Sequence, residues 1–139
     1  MTQPSIVQNV DLASLSQRLA AQFLDGLVVA VPVLALVGGG MMLYGSSVWP
    51  AGVLIAAAIF YALTYVLFCD GLEGGQSLGK RWVGIRVISA DTGAPCSFRQ
   101  SFVRNILLSF LGPIDWIFIF GDRRQRLGDK AAGTIVIVD

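Results

Sequence analysis

Two apolar stretches joined by a short uncharged turn constrain this chain more than anything else in it. "LAAQFLDGLVVAVPVLALVGGGMMLY", residues 19 to 44, carries one charge, Asp25, and "AGVLIAAAIFYALTYVLFC", residues 51 to 69, carries none. A hydrocarbon core is crossed by about 20 apolar residues, so each stretch predicts a transmembrane helix. The connecting "GSSVWP" is too short for anything but an antiparallel hairpin, and Trp49 suits a membrane interface. Composition agrees. Hydrophobic residues make up 55% and charged residues 14% of 139, against roughly 45–50% and 25% in soluble domains, and mean hydropathy is +0.70. Pro32 and Gly38 to Gly40 are tolerated in membrane helices, with a kink expected near Pro32. Tyr61, Thr64 and Tyr65 bring hydroxyls to the second helix for interhelical hydrogen bonds.

Lys and Arg collect on the cytoplasmic side of membrane proteins. The turn between the helices has none, whereas Arg18 precedes the first helix and Lys80, Arg81, Arg86, Arg99 and Arg104 follow the second. Both ends of the pair are therefore expected in the cytoplasm, with the bilayer as the first partner. The N-terminus lacks a basic region before an apolar core, so no secretory signal is expected.

The remainder reads as a cytoplasmic segment, 70–97, an interrupted hydrophobic helix, 98–120, and a cytoplasmic tail, 121–139. "RWVGIRVIS" predicts a strand from Trp82 to Ser89, and "TIVIV", residues 134 to 138, predicts a partner for it. Ser97 with Gln100 three residues on predicts a capped helix start near Phe98. Residues 106–120 are apolar but short, broken by Gly112-Pro113 and marked by Asp115, which fits a segment that dips into the bilayer and returns. A third full crossing with the tail outside is the alternative. The expected fold is a mainly α membrane protein in one domain. It has two transmembrane helices in an antiparallel hairpin, a third interrupted (re-entrant or interfacial) helical hairpin, and a small cytoplasmic β pair.

"GGQSLGK", residues 74 to 80, fits the start of the phosphate-cradling pattern G-x-x-x-x-G-K-[ST]. Arg81 stands where the Mg²⁺ hydroxyl belongs, and the run leads into a strand rather than a helix. Nucleotide binding is therefore not expected. The near-neutral formal charge of +1 gives nucleic acid no basic footprint. There is no histidine, and Cys69 and Cys96 lack metal-ligand spacing and read as reduced thiols. No nucleophile with an adjacent base appears, so neither an enzyme, a cofactor nor a metal site is expected.

"QRLAAQFLDGLV", "GGQSLGKRWVGIRVI" and "RRQRLGDKAAGTIVIV", in that order, resemble the three blocks of the RDD family of integral membrane proteins. The family is named for one arginine and two aspartates, matched here by Arg18, Asp25 and Asp129; Gly128 stands where the family often has His. The resemblance implies a bacterial cytoplasmic membrane protein and a role in moving ions or other small ligands, some members resembling cation/proton antiporters.

Arg18, Gln22 and Asp25 share one stripe of the first helix, with Arg18 and Asp25 about 10.5 Å apart along the axis. A relay through Gln22, water or a residue from elsewhere is expected to join them. These three are the ligand or ion-binding candidates, with Asp25 foremost for a cation or proton. Asp129, Arg104 and Asp115 are read as a structural polar network in which Asp129 pairs with Arg18 or Arg104. Lys80 and Arg81 are read as contacts to lipid headgroups. Two function classes follow: a transport component acting as a homo-oligomer, or an accessory subunit docking to a larger membrane complex.

Overall fold

Helix α1, Leu15–Tyr44, begins where Ser14 accepts a hydrogen bond from the Gln17 amide and the Gln17 side chain accepts one from the Ser14 amide, which satisfies two otherwise orphaned donors. The protein is described by a computed structural model over residues 10–45, 47–112, 114–120 and 124–139, without the side chains of residues 115, 116 and 118. Helix α2, Val48–Phe68, runs back along α1: Gly40 lies against Ala51, Tyr61 donates to the Val28 carbonyl at 2.9 Å, and Tyr65 reaches Asp25. Small residues make this close approach feasible, since a Cβ on Gly40 would sit 3.2 Å from the Ala51 carbonyl. Leu15–Tyr44 and Val48–Gly71 are both long and apolar enough to cross a membrane. Phe23, Met42, Trp49 and Phe60 on this pair are 68%, 88%, 85% and 73% exposed, a surface that water would not tolerate over such an area.

After a 3-10 turn at Cys69–Gly71 and another at Glu73–Gly75, the chain forms α3, Leu78–Val83, and then β1, Ile85–Ser89. The expected strand start at Trp82 is corrected by three residues, to Ile85. Ser77 caps α3 by accepting from the Lys80 amide, and Gly84 ends it with φ 73, ψ 42, a left-handed conformation that glycine adopts without a Cβ clash. Trp82 and Val83 thus belong to a helix. Ser97 and Gln100 form a second capping box at the start of α4, Phe98–Leu111, which stops at Gly112. Helix α5, Ile114–Ile117, and a 3-10 turn at Phe118–Phe120 follow. Helix α6, Leu127–Ala132, is a further element that the strand-led reading of the tail passed over, and Gly133, φ 64, turns it into β2, Thr134–Val138.

Strands β1 and β2 pair antiparallel with Val87 opposite Val136. The same arrangement occurs twice around that pair. Gln76-x-Leu78-Gly79-x-Arg81-x-x-Gly84 before β1 matches Gln125-x-Leu127-Gly128-x-Lys130-x-x-Gly133 before β2. The Gln76 amide donates to Ile85 O at 3.2 Å and the Gln125 amide to Thr134 O at 2.7 Å. Gly75 and Arg124 both take positive φ, 73 and 46. The segments leading into the two capped helices also correspond, each crossing to the other half's strand: Ala13 N donates to Val136 O and Cys96 N to Val87 O, both at 3.0 Å. Bridges Leu12 to Ile137 and Pro95 to Ile88 complete the exchange. The molecule is therefore two halves related by a pseudo-two-fold axis through the Val87/Val136 pair. Ala13, Ile85, Val87, Cys96 and Val136 form the core around it, with Ala21.

Candidate functional site

The two halves meet in a chain of alternating charges. Arg18 from α1 reaches Asp129 from α6 at 3.3 Å, and Asp129 reaches Arg104 from α4 at 2.8 Å. Arg104 continues to Asp70 at 3.6 Å, and Asp70 is paired with Lys80 of α3. Arg126 adds a second contact to Asp129, at 3.9 Å from its side chain and 3.2 Å from its amide. Asp70, Arg104 and Asp129 are 1%, 1% and 0% exposed, and charges so deeply placed persist only when paired.

Local structure puts each carboxylate where it is needed. The 3-10 turn at Cys69–Gly71 folds Asp70 inward, where its amide donates to Ser101 Oγ and its Oδ2 accepts from Asn105 Nδ2, both at 3.2 Å. Asp129 lies in the first turn of α6 and accepts the amide of Arg126, the residue preceding that helix. Gly128 replaces any side chain at the α4 contact: a Cβ there would meet the Arg104 carbonyl at 2.3 Å. Burial alone would raise the Asp129 carboxyl's pKa, but Arg104, Arg126 and Arg18 outweigh it and hold it below the usual carboxylate range. Burial likewise would lower the Arg104 guanidinium's pKa, and Asp129 and Asp70 drive it above its ordinary value. Asp129 and Arg104 therefore stay ionised near neutrality. Burial pushes the Cys96 thiol up to about 11, so it is a neutral core group.

Gln22 does not link Arg18 to Asp25 directly. Arg18 turns to Asp129 and to the Val136 carbonyl, Gln22 accepts from Arg126 at 3.5 Å, and Asp25 bonds to other partners. Asp25 Oδ1 accepts from the Tyr65 hydroxyl and the Gly79 amide, each at 2.8 Å, and Oδ2 from the Ser77 hydroxyl at 2.5 Å. The reason is that the tight approach of α3 to α1, where a Gly79 Cβ would lie 2.2 Å from the Ala21 carbonyl, presents donors that Asp25 satisfies. Lys80 also departs from its expected headgroup position, because its ammonium lies over buried Asp70 with its side chain 12% exposed. Arg81 is exposed. The side chain of Asp115 lies outside the described residues.

A cavity of about 360 Å³ opens over this chain of charges between α1, α2 and α4, within the range of small-ligand sites. It is lined by Arg18, Gln22, Asp70, Lys80, Arg104 and Arg126, by Asp25 and Tyr65, and, farther along the helix pair, by Val29, Val33, Ala62 and Val66. Asp70, Asn105 and Arg126 were missed as site residues. The signal was present for Arg126, whose counterpart in the repeated motif is Ser77, the cap on α3. Among the described residues no group of three or more Cys, Asp or Glu is placed to hold a metal.

The model of the RDD family matches residues 12–133. A protein of Haemophilus influenzae described as an uncharacterized protein is 30% identical over 136 residues, covering 91% of this chain and 78% of that protein. No solved structure matches. A match over residues 12–133, nearly the whole chain, places this protein in the RDD family, a family of membrane proteins.

Proposed function

We propose that this protein is a multi-pass component of a bacterial cytoplasmic membrane that binds a small charged ligand at the inner end of its helix pair and passes it across. The observation that supports this is the open cavity over a buried network of ion pairs. Charges at membrane depth are costly, by about 2.5–3.5 kcal/mol each on insertion scales, and mark ligand or ion paths. The site also lies where the two halves meet, as binding sites of repeat-built transporters do. Both termini face the cytoplasm, and α4 with α5 lies in the inner interface as a short hairpin, its exposed Phe98, Phe102 and Phe110 in lipid. Two spans do not enclose a path, so the working unit is a homo-oligomer. The role is binding and passage without enzymatic chemistry, cofactor or nucleotide.

Proteoliposomes containing an internal pH dye, mounted on a solid-supported membrane, test the reading. Jumps in Na⁺, K⁺, chloride, phosphate or acetate should give a current or a pH change for at least one of them, altered in Gln22→Glu. Silence toward every ion, with a stable heteromeric complex in mild detergent, would instead assign the chain as an accessory subunit.

A further inference from the structure

Helix α1 carries Pro32 in its interior. Proline has no backbone N–H, so the carbonyl of Val28, four residues earlier, lacks its helical donor. In a membrane-spanning segment no water replaces that donor, and a neighbouring helix has to. The Tyr61 hydroxyl of α2 does so, at 2.9 Å. One turn further along α2, the Tyr65 hydroxyl bonds Asp25 at 2.8 Å, and the two tyrosine rings lie 6.2 Å apart. Two hydroxyls thus fasten α2 to α1 at successive levels.

The second half of the molecule breaks at the same level. Counted from the capping residues Ser14 and Ser97, Val28 is the counterpart of Leu111, the last residue of α4. There the helix stops at Gly112, whereas α1 continues past the equivalent point with one rung missing. On either side of that rung α1 is fixed, by Arg18 to α6 and Asp25 to α3 before it, and by the contact of Gly40 with Ala51 beyond it. Between the fixed points lies the apolar end of the cavity. Val29 and Val33 line it from α1, with Pro32 between them in sequence, and Ala62, next to Tyr61, lines it from α2.

We infer that Pro32 and Tyr61 form a latched hinge. When the Tyr61 hydroxyl releases the Val28 carbonyl, α1 bends at the missing rung, Val33 moves away from Ala62, and the cavity opens at its apolar end. Bending is confined to this point because every other rung nearby resists it, and sharp helix kinks belong to such prolines. A single hydrogen bond holds the closed form, so the open one stays within thermal reach. The hinge rests on the reading of the cavity as a path and supplies the element that opens it.

A double-mutant cycle on the full chain in detergent tests the latch. Tyr61→Phe should lower the thermal midpoint by about 4 °C, and should have little effect in the Pro32→Ala background, where a restored amide bonds the Val28 carbonyl. An equal loss in both backgrounds would overturn the latch, since the hydroxyl would then serve packing alone. Opening is read from the rate at which a small water-soluble methanethiosulfonate labels the Val33→Cys variant, with the wild-type chain, whose Cys69 and Cys96 are buried, as the blank. Tyr61→Phe should speed that labelling about five-fold, the factor that one hydrogen bond is worth, and Pro32→Ala should slow it. Labelling unchanged by Tyr61→Phe would overturn the opening. Faster labelling without ion currents in proteoliposomes would retain the hinge and remove the transport reading, and currents with unchanged labelling would do the reverse.

Discussion

At the scale of single residues, Asp129 holds more together than any other side chain. It is fully buried and shared among Arg18, Arg104 and Arg126. Asp129→Asn leaves three guanidiniums with one carboxylate fewer, and removing one partner of a buried pair costs about 3–5 kcal/mol, so thermal unfolding in detergent should fall sharply. Because three arginines depend on it, the exchange Arg18→Asp with Asp129→Arg should fail to rescue, since the new arginine would face Arg104; recovery to wild-type stability would mean that Arg18 is its dominant partner. The pH dependence has a definite sign. The folded pKa of Asp129 lies below its unfolded value of about 3.9, so its stabilisation is complete above that value and is lost as pH falls through the folded pKa. The stability difference between wild type and Asp129→Asn should therefore be flat from pH 5 to 8 and shrink below about pH 4. A difference that changed between pH 6 and 8 would contradict the assignment. Arg18, Arg104 and Asp129 were legible in the sequence as charges wanting partners. Asp70 was not, because a lone acid just past an apolar stretch reads as a solvated end until the fold turns it inward.

Among the elements, α3 and α6 do the same work at equivalent places. Each is six residues long and too short to persist alone, so each depends on a glycine that lets it touch a longer helix. A Cβ at Gly79 would lie 2.2 Å from the Ala21 carbonyl, and one at Gly128 would lie 2.3 Å from the Arg104 carbonyl. Those are backbone oxygens, which do not swing aside. Gly79→Ala and Gly128→Ala should each lower stability by about 1–3 kcal/mol through forced backbone shifts, despite alanine's better helix propensity. An alanine variant at either site as stable as wild type would show that the two short helices are not seated as described. Sequence reading found the strong local signals, including the Ser97/Gln100 capping box and the β-branched run of β2. It misplaced the start of β1 because Trp82 and Val83 have high strand propensity, and tertiary contact with α1 overrides that preference. The glycine at each end of a six-residue run was the sign of a short helix.

For the whole molecule, the informative relation is between halves that differ greatly in hydrophobic length. In the first, the capped helix is 30 residues and returns through a 21-residue partner; in the second, it is 14 residues and is followed by α5 and a 3-10 turn. Hydropathy emphasises that difference and hides the repeat, whose shared residues, Gln, Leu, two glycines and a base, sit in polar segments. The repeat also constrains topology. Val138 N donates to Asp11 O, and Ser89 N donates to Ala94 O, both at 2.8 Å, so the segment before α1, the segment after α3 and the last strand form one sheet-like layer. They must all lie on the same side of the membrane. A third full crossing by residues 106–120 would carry β2 away from β1 and break the Val138–Asp11 bond together with the β1–β2 pairing. With Lys and Arg concentrated in that layer and absent from the turn between α1 and α2, the layer should be cytoplasmic. A fluorescent protein fused after Asp139 should therefore fold and fluoresce, and alkaline phosphatase there should be inactive, while phosphatase inserted in the α1–α2 turn should be active. Phosphatase activity at both positions would establish a third crossing and separate the two strands that the described fold pairs.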